Sequence, residues 1–189
     1  FAWRSQGWSF HLGKALQQRY NHTLVCECVP GATVSYMMAR FDRIQAAAPR
    51  VVVVSFSLGN EILGHSPEEF PRLAAAFREG IASAVRRIRA IPAMPVLASV
   101  YPHFSEPLVP HLRETKGWME QFAAAEGLPL IDFWTPLEDG YGHILPRLSS
   151  AADGWVGAVH PNDAGHWQMF GSIDLDIFRP EALVAPPPR

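Results

Sequence analysis

The chain has 189 residues, of which 48% are hydrophobic and 18% charged, and its formal net charge is -2. This length and composition predict one soluble globular domain over residues 1–184, followed by a Pro-rich tail at residues 185–189. The near-neutral charge argues against a dedicated nucleic-acid surface, and no apolar run approaches the roughly 20 residues that a membrane span requires.

Helix and strand signals alternate along the whole sequence. In chain order, the patterns predict helix 8–16, strand 23–29, helix 33–48, strand 51–56, helix 67 to about 89, strand 95–100, helix 108–126, strand 128–133 and a short helix from 161. A Pro-Gly turn at residues 30–31 closes the first strand, and Ser66 before Pro67 is a good helix N-cap. Residues 60–65 are predicted to be loop.

This alternation predicts an α/β fold, a three-layer α/β/α sandwich with a parallel sheet covered by helices on both faces. Binding sites in such sheets lie beyond the carboxyl ends of the strands. Polar residues and glycine gather at these ends, namely Gly31, Ser57, Asn60, Glu61, His103, Asp132 and His160. The coincidence favours an enzyme.

The cysteines and most histidines indicate no metal site. Cys26 and Cys28 are expected to be reduced thiols in the core, because unpaired cysteine is usually buried. The other candidate ligands, His65, His103, His111 and His143, are scattered and lack a partner at helical ligand spacing. No cofactor is expected either.

The strongest chemical motif is His-Pro-Asn-Asp-Ala-Gly-His at residues 160–166. His160 stands directly before a helix that Pro161 begins, so a loop can aim the ring while the helix anchors the backbone. Imidazole is suited to general base catalysis near neutral pH. The motif resembles the last conserved block of SGNH (GDSL-like) hydrolases, which implies that His160 is the catalytic base and that His166 packs the helix.

Two further segments carry the same resemblance. Asn60, after the valine strand, matches the asparagine of a Gly-x-Asn-Asp block, although Leu58 and Glu61 depart from that block. Gly31 matches a glycine whose backbone N–H is a second oxyanion donor. The resemblance extends over nearly the whole chain and implies a flavodoxin-like topology and a serine esterase that acts on acetyl or short acyl esters, including those on carbohydrate.

The nucleophile of that family lies in a Gly-Asp-Ser block, and no such block occurs among the 189 residues. The expectation is that the first strand and its serine precede Phe1 in a longer protein. The acid of the triad is also open. Asp153 is one candidate, at a distance from His160 that suggests an insertion, and a backbone carbonyl that orients His160 is the other.

Two alternatives compete with this interpretation. Ser57 follows a buried strand in a near match to the Gly-x-Ser-x-Gly elbow, and Asp132 and His160 would complete the chain order of an α/β-hydrolase triad. The predicted loop after Ser57 counts against the elbow, which needs a helix there. The second alternative is a catalytically inactive hydrolase-like domain that only binds.

Overall fold

The computed structural model describes residues 7–62, 64–150 and 160–183. Within these ranges the α-helices are α1 (Trp8–Tyr20), α2 (Val34–Met38), α3 (Phe41–Ala46), α4 (Leu58–Ile62), α5 (Phe70–Arg89), α6 (Val109–Glu126) and α7 (Asp163–Gly171). The strands are β1 (Val51–Val54), β2 (Met94–Ala98) and β3 (Leu130–Ile131). None of the helices described is both long and apolar enough to cross a membrane.

The three strands form a parallel sheet in the order β1-β2-β3. Val51 pairs with Met94, and Leu97 pairs with Leu130, so β2 is the central strand of the three. Helix α5 connects β1 to β2, and α6 connects β2 to β3. The predicted α/β fold with a parallel sheet is confirmed.

Alternate side chains of the central strand pack into two hydrophobic clusters, as the period of two in a strand requires. Leu97 belongs to the cluster that α5 and α6 complete. Val96 and Ala98 belong to the other cluster, which contains residues of α1 and α7. All three side chains are fully buried. The sheet is therefore the middle layer of three.

The start and end of α5 follow the predicted signals. Ser66 and Glu69 form a reciprocal capping box on the short 3-10 helix Pro67–Glu69 that leads into α5, and the Ser66 N–H donates to the Glu69 carboxylate at 3.1 Å. The helix continues to Arg89, as predicted. Its buried residues recur at helical spacing and include Phe70, Ala74, Phe77, Ile81, Ala84, Val85 and Ile88. This stripe anchors α5 against the sheet.

Two predicted elements are wrong. Residues 23–29 are not assigned to a strand, and Val25 is 63% exposed. The predicted helix 33–48 is divided at Arg40, whose ψ of 20° lies outside the α-helical range. At the division, the Arg87 guanidinium donates to the Met38 carbonyl at 2.5 Å and lies over the Phe41 ring. Contacts with α5 therefore replace the hydrogen bonds of a continuous helix.

The expectation of buried, reduced thiols is also wrong. Cys26 and Cys28 are exposed and form a disulfide, with their Cα atoms 5.3 Å apart. That separation lies within the range that a disulfide bridges. Because both residues are exposed, the disulfide lies outside the core.

Candidate active site

Three of the polar residues expected to gather at a site, Ser57, Asn60 and His103, lie beyond the carboxyl ends of β1 and β2, where the sheet rule puts a site. Ser57 and Asn60 follow β1, and Tyr101 and His103 follow β2. His160 stands three residues before α7.

The turn at Gly31 is exposed, and its backbone conformation favours glycine. The φ of Gly31 is 71°, in the left-handed region that residues with a Cβ rarely adopt. A hydrogen bond of 3.1 Å from the Ala32 N–H to the Val29 carbonyl closes the turn. The Gly31 N–H itself makes no hydrogen bond to any residue in the described part of the chain. It is therefore available as a donor.

Helix α4 holds this turn through two side chains. The Asn60 amide donates through Nδ2 to the Ala32 carbonyl at 3.1 Å. The Glu61 carboxylate accepts from the Val34 N–H at 2.6 Å, at the start of α2. Because an amide nitrogen has two hydrogens, Asn60 keeps a second donor beside the turn. The structure thus brings together Asn60 and Gly31, the two residues predicted to be oxyanion donors.

The backbone at His160 is fixed from two sides. The His160 carbonyl accepts from the Ser150 N–H at 2.9 Å and from the Ser150 hydroxyl at 3.0 Å. On the other side Asn162 caps α7, because its side chain accepts from the Gly165 N–H at 3.0 Å. The Asn162 Nδ2 also donates to the Arg147 carbonyl. These hydrogen bonds join segment 147–150 to His160 and the start of α7, and this arrangement is called the clamp below.

Gly165 is part of the same clamp. A Cβ at this position would lie 2.4 Å from the carbonyl oxygen of Leu148 and 2.8 Å from Cβ of Pro161. The first distance is about 1 Å inside the usual range of carbon–oxygen contacts. The glycine of the motif is therefore required by close packing.

The His160 ring contacts a tyrosine. Its Nδ1 lies 3.0 Å from the Tyr101 hydroxyl. Burial raises the pKa of Tyr101, and a side-chain hydrogen bond with Ser57 opposes part of that rise. Burial also lowers the pKa of the His160 imidazole below its ordinary value. At neutral pH both groups are therefore uncharged, as a general base must be before it accepts a proton.

His103 is a second histidine of this region. It is 7% exposed, and burial, followed by the charge of His160, lowers its pKa to about 4. Its Nδ1 accepts a hydrogen bond of 3.1 Å from the Ser105 N–H. The neutral ring must then carry its proton on Nε2, which lies 3.9 Å from where a Cβ of Gly59 would be. His103 therefore presents an N–H donor toward the start of α4.

Of the two residues proposed as the triad acid, Asp153 and Asp132, the structure describes only Asp132. Asp153 lies outside the described residues. Asp132 uses its Oδ1 to accept from the backbone N–H groups of Trp134 and Thr135, at 2.8 and 3.1 Å. That carboxylate stabilises a turn after β3. Within the described ranges no three His, Cys, Asp or Glu side chains converge to hold a metal ion.

Residues 60–62, predicted to be loop, belong to α4, which begins directly after Ser57. The Asn60 N–H donates to the Ser57 carbonyl at 3.1 Å, so Ser57 stands at the helix entrance. No sequence motif predicts a chemical role for Tyr101. The signal that could have found it is its place just beyond β2, between the polar ends of two neighbouring strands.

The model of the GDSL-like Lipase/Acylhydrolase family matches residues 2–168. A search of curated proteins finds no match.

Several solved structures share the fold. An acetylxylan esterase from Geobacillus stearothermophilus has a TM-score of 0.70 and 16% identity, over 88% of this chain and 78% of that one. A member of the lipolytic protein G-D-S-L family from Veillonella parvula has a TM-score of 0.61 and 18% identity, over 92% and 87%. An α/β hydrolase enzyme from the Lake Arreo metagenome has a TM-score of 0.67 and 18% identity, over 96% and 84%.

Proposed function

The chain belongs to the GDSL-like lipase/acylhydrolase family, and from this premise we propose that it hydrolyses carboxylic esters by acyl transfer through a serine. His160 is the general base, and the Gly31 N–H and the Asn60 amide stabilise the oxyanion. For the group that orients His160, the sequence leaves two candidates, the Asp153 carboxylate and a backbone carbonyl. The substrates are acetyl or short acyl esters, including esters on carbohydrate, a class that the acetylxylan esterase with the same fold supports.

The chemistry follows from these roles. A serine oxygen attacks the acyl carbon while its proton passes to His160 Nε2, and the carbonyl oxygen becomes an oxyanion beside Gly31 and Asn60. When the intermediate collapses, the bond to the alcohol breaks and His160 protonates the leaving oxygen. Water then attacks the acyl-enzyme by the same route and releases the acid. No cofactor takes part.

The observation that carries this proposal is the hydrogen bond of 3.1 Å from Asn60 Nδ2 to the Ala32 carbonyl. It holds the amide next to the turn whose Gly31 N–H is a second donor. Both donors are thus fixed before any substrate binds, which is the condition for strong oxyanion stabilisation.

The test is ester hydrolysis by the purified full natural translation product, so that a serine preceding Phe1 is included. The panel comprises p-nitrophenyl esters of increasing acyl length and acetylated xylan. Activity should be greatest on acetyl and short acyl esters and should be lost in His160→Gln. His22→Gln is a matched control, because the His22 ring binds the Phe178 carbonyl at 2.9 Å instead of a site residue. Equal activity of His160→Gln and wild type would contradict the proposal.

Ser57 is a second candidate for the nucleophile in the same reaction class. It is favoured by α4, which begins directly after it. The Asp132 carboxylate, which the elbow mechanism would need, is engaged in a turn. Ser57→Ala separates the two assignments. It abolishes activity if Ser57 attacks, and leaves most of it if another serine does.

A further inference from the structure

The contact between Tyr101 and His160 belongs to none of the roles assigned above. The hydroxyl of Tyr101 is 3.0 Å from His160 Nδ1, a normal hydrogen-bond distance. The Tyr101 ring is half-buried and packs against the hydrophobic cluster that α1 and α7 complete. Pro102 and His103, which follow, are buried as well. The hydroxyl is therefore held in place by packing.

The direction of this hydrogen bond has a chemical consequence. A neutral imidazole carries one proton, on either Nδ1 or Nε2. A histidine that accepts a serine proton at Nε2 must hold its own proton on Nδ1. In that tautomer Nδ1 donates, and the Tyr101 oxygen accepts.

Tyr101 can accept this bond without losing its own proton. Burial keeps the pKa of the phenol above its ordinary value, so the group stays neutral. The phenol oxygen has lone pairs for this bond while it keeps its own hydrogen. The donor is then His160 Nδ1 and the acceptor is the Tyr101 oxygen.

We propose that Tyr101 is a positioning residue, whose hydroxyl accepts the Nδ1–H of His160 and fixes the imidazole in the tautomer that leaves Nε2 ready to take a proton. The inference rests on the proposed function of His160 as base. Tyr101 contributes through His160 and does not touch the ester. When His160 becomes an imidazolium, the same oxygen accepts a stronger, charge-assisted hydrogen bond.

Tyr101→Phe tests this directly, because it removes the hydroxyl and keeps the ring. The first readout is the ¹⁵N NMR signal of the His160 ring, assigned by its absence in His160→Gln. Wild type should show the Nδ1–H tautomer at pH values above the His160 pKa. Tyr101→Phe should populate the Nε2–H tautomer. Tyr20→Phe is the matched control, since it removes a hydroxyl that lies 3.0 Å from Asp176.

The second readout is kinetic. Loss of a hydrogen bond to a charged group predicts a fall in kcat of about 10- to 100-fold in Tyr101→Phe, with little change in KM. The acidic limb of kcat should move to lower pH, because the imidazolium loses an acceptor and its pKa falls. Tyr20→Phe should change neither parameter.

Three results would overturn the inference. The first is an Nε2–H tautomer in wild type, which means that Tyr101 donates to Nδ1. The second is a Tyr101→Phe protein with unchanged tautomer and unchanged kcat. The third is a tautomer that responds to Asp153→Asn and not to Tyr101→Phe. A wild-type protein without ester hydrolysis would refute the proposed function instead, while the NMR measurement still decides the contact.

Discussion

Gly165→Ala should disturb the site through the backbone that carries His160. The added Cβ would lie 2.4 Å from the Leu148 carbonyl oxygen, so one of the two groups must move by about 1 Å to restore a normal contact. That oxygen also accepts the Asn162 N–H at 2.9 Å. A shift here therefore moves the start of α7 and, with it, His160.

Gly165→Ala is expected to change both the free energy of unfolding and kcat. Overpacking of this kind lowers the free energy of unfolding by about 1–3 kcal/mol, and the gain in helix propensity from glycine to alanine returns about 0.5–1 kcal/mol. A displacement of about 1 Å in a catalytic group can lower the rate by about 100-fold. We therefore expect a modest loss of stability and a much larger loss of kcat.

Urea denaturation and ester hydrolysis would measure both quantities. Gly117→Ala is the matched control, because it lies within α6 and a Cβ there would have nothing within 4 Å. That variant should be more stable than wild type by about 0.5–1 kcal/mol, with unchanged kcat. If Gly165→Ala had the same stability and activity as Gly117→Ala, close packing in the clamp would not be the reason that the motif has glycine at position 165.

Three further predictions concern single side chains. Asn60→Ala should lower kcat by about 100- to 1000-fold with a small change in KM, and unchanged kcat would exclude it as an oxyanion donor. The acidic limb of kcat/KM should be half-maximal below pH 6.5, since burial lowers the pKa of His160; a midpoint above pH 6.5 would contradict this. His103 has a folded-state pKa of about 4, below its unfolded value of 6.5, so its contribution to stability is complete above pH 6.5 and is lost on acidification toward pH 4. His103→Gln should therefore make the free energy of unfolding less dependent on pH between pH 4 and 6.5. The slope should fall by up to about 1.4 kcal/mol per pH unit. An unchanged slope would contradict the lowered pKa of His103.

The parts of the fold that the sequence predicts well are those that local patterns determine. The apolar stripe of α5 and the Ser66 cap lie within one segment, and both predict the observed helix. The division near Arg40 was not predictable in this way, because Arg87, 47 residues further along the chain, supplies the contacts that cause it. Residues 23–29 have the pattern of a strand, but a strand also needs a partner.

The candidate site also has residues that local motifs predict and contacts that only the folded structure reveals. Gly31, Asn60 and His160 stand in recognisable motifs, and the place of Asn60 beyond β1 follows from the alternation of elements. The link from Asn60 to the Ala32 carbonyl joins segments 28 residues apart and needed the structure. Tyr101 has no motif of its own, so its contact with His160 emerges only when β2 and α7 come together.

Fluorophosphonate labelling with peptide mass mapping tests the central claim most directly. The reagent forms a stable bond only with an activated serine, and it should be applied to this chain and to the full natural translation product. We predict one labelled serine in the full natural product, whose labelling is lost in His160→Gln and kept in His22→Gln. A folded full-length protein that takes up no label, or one whose labelling is independent of His160, would contradict this mechanism.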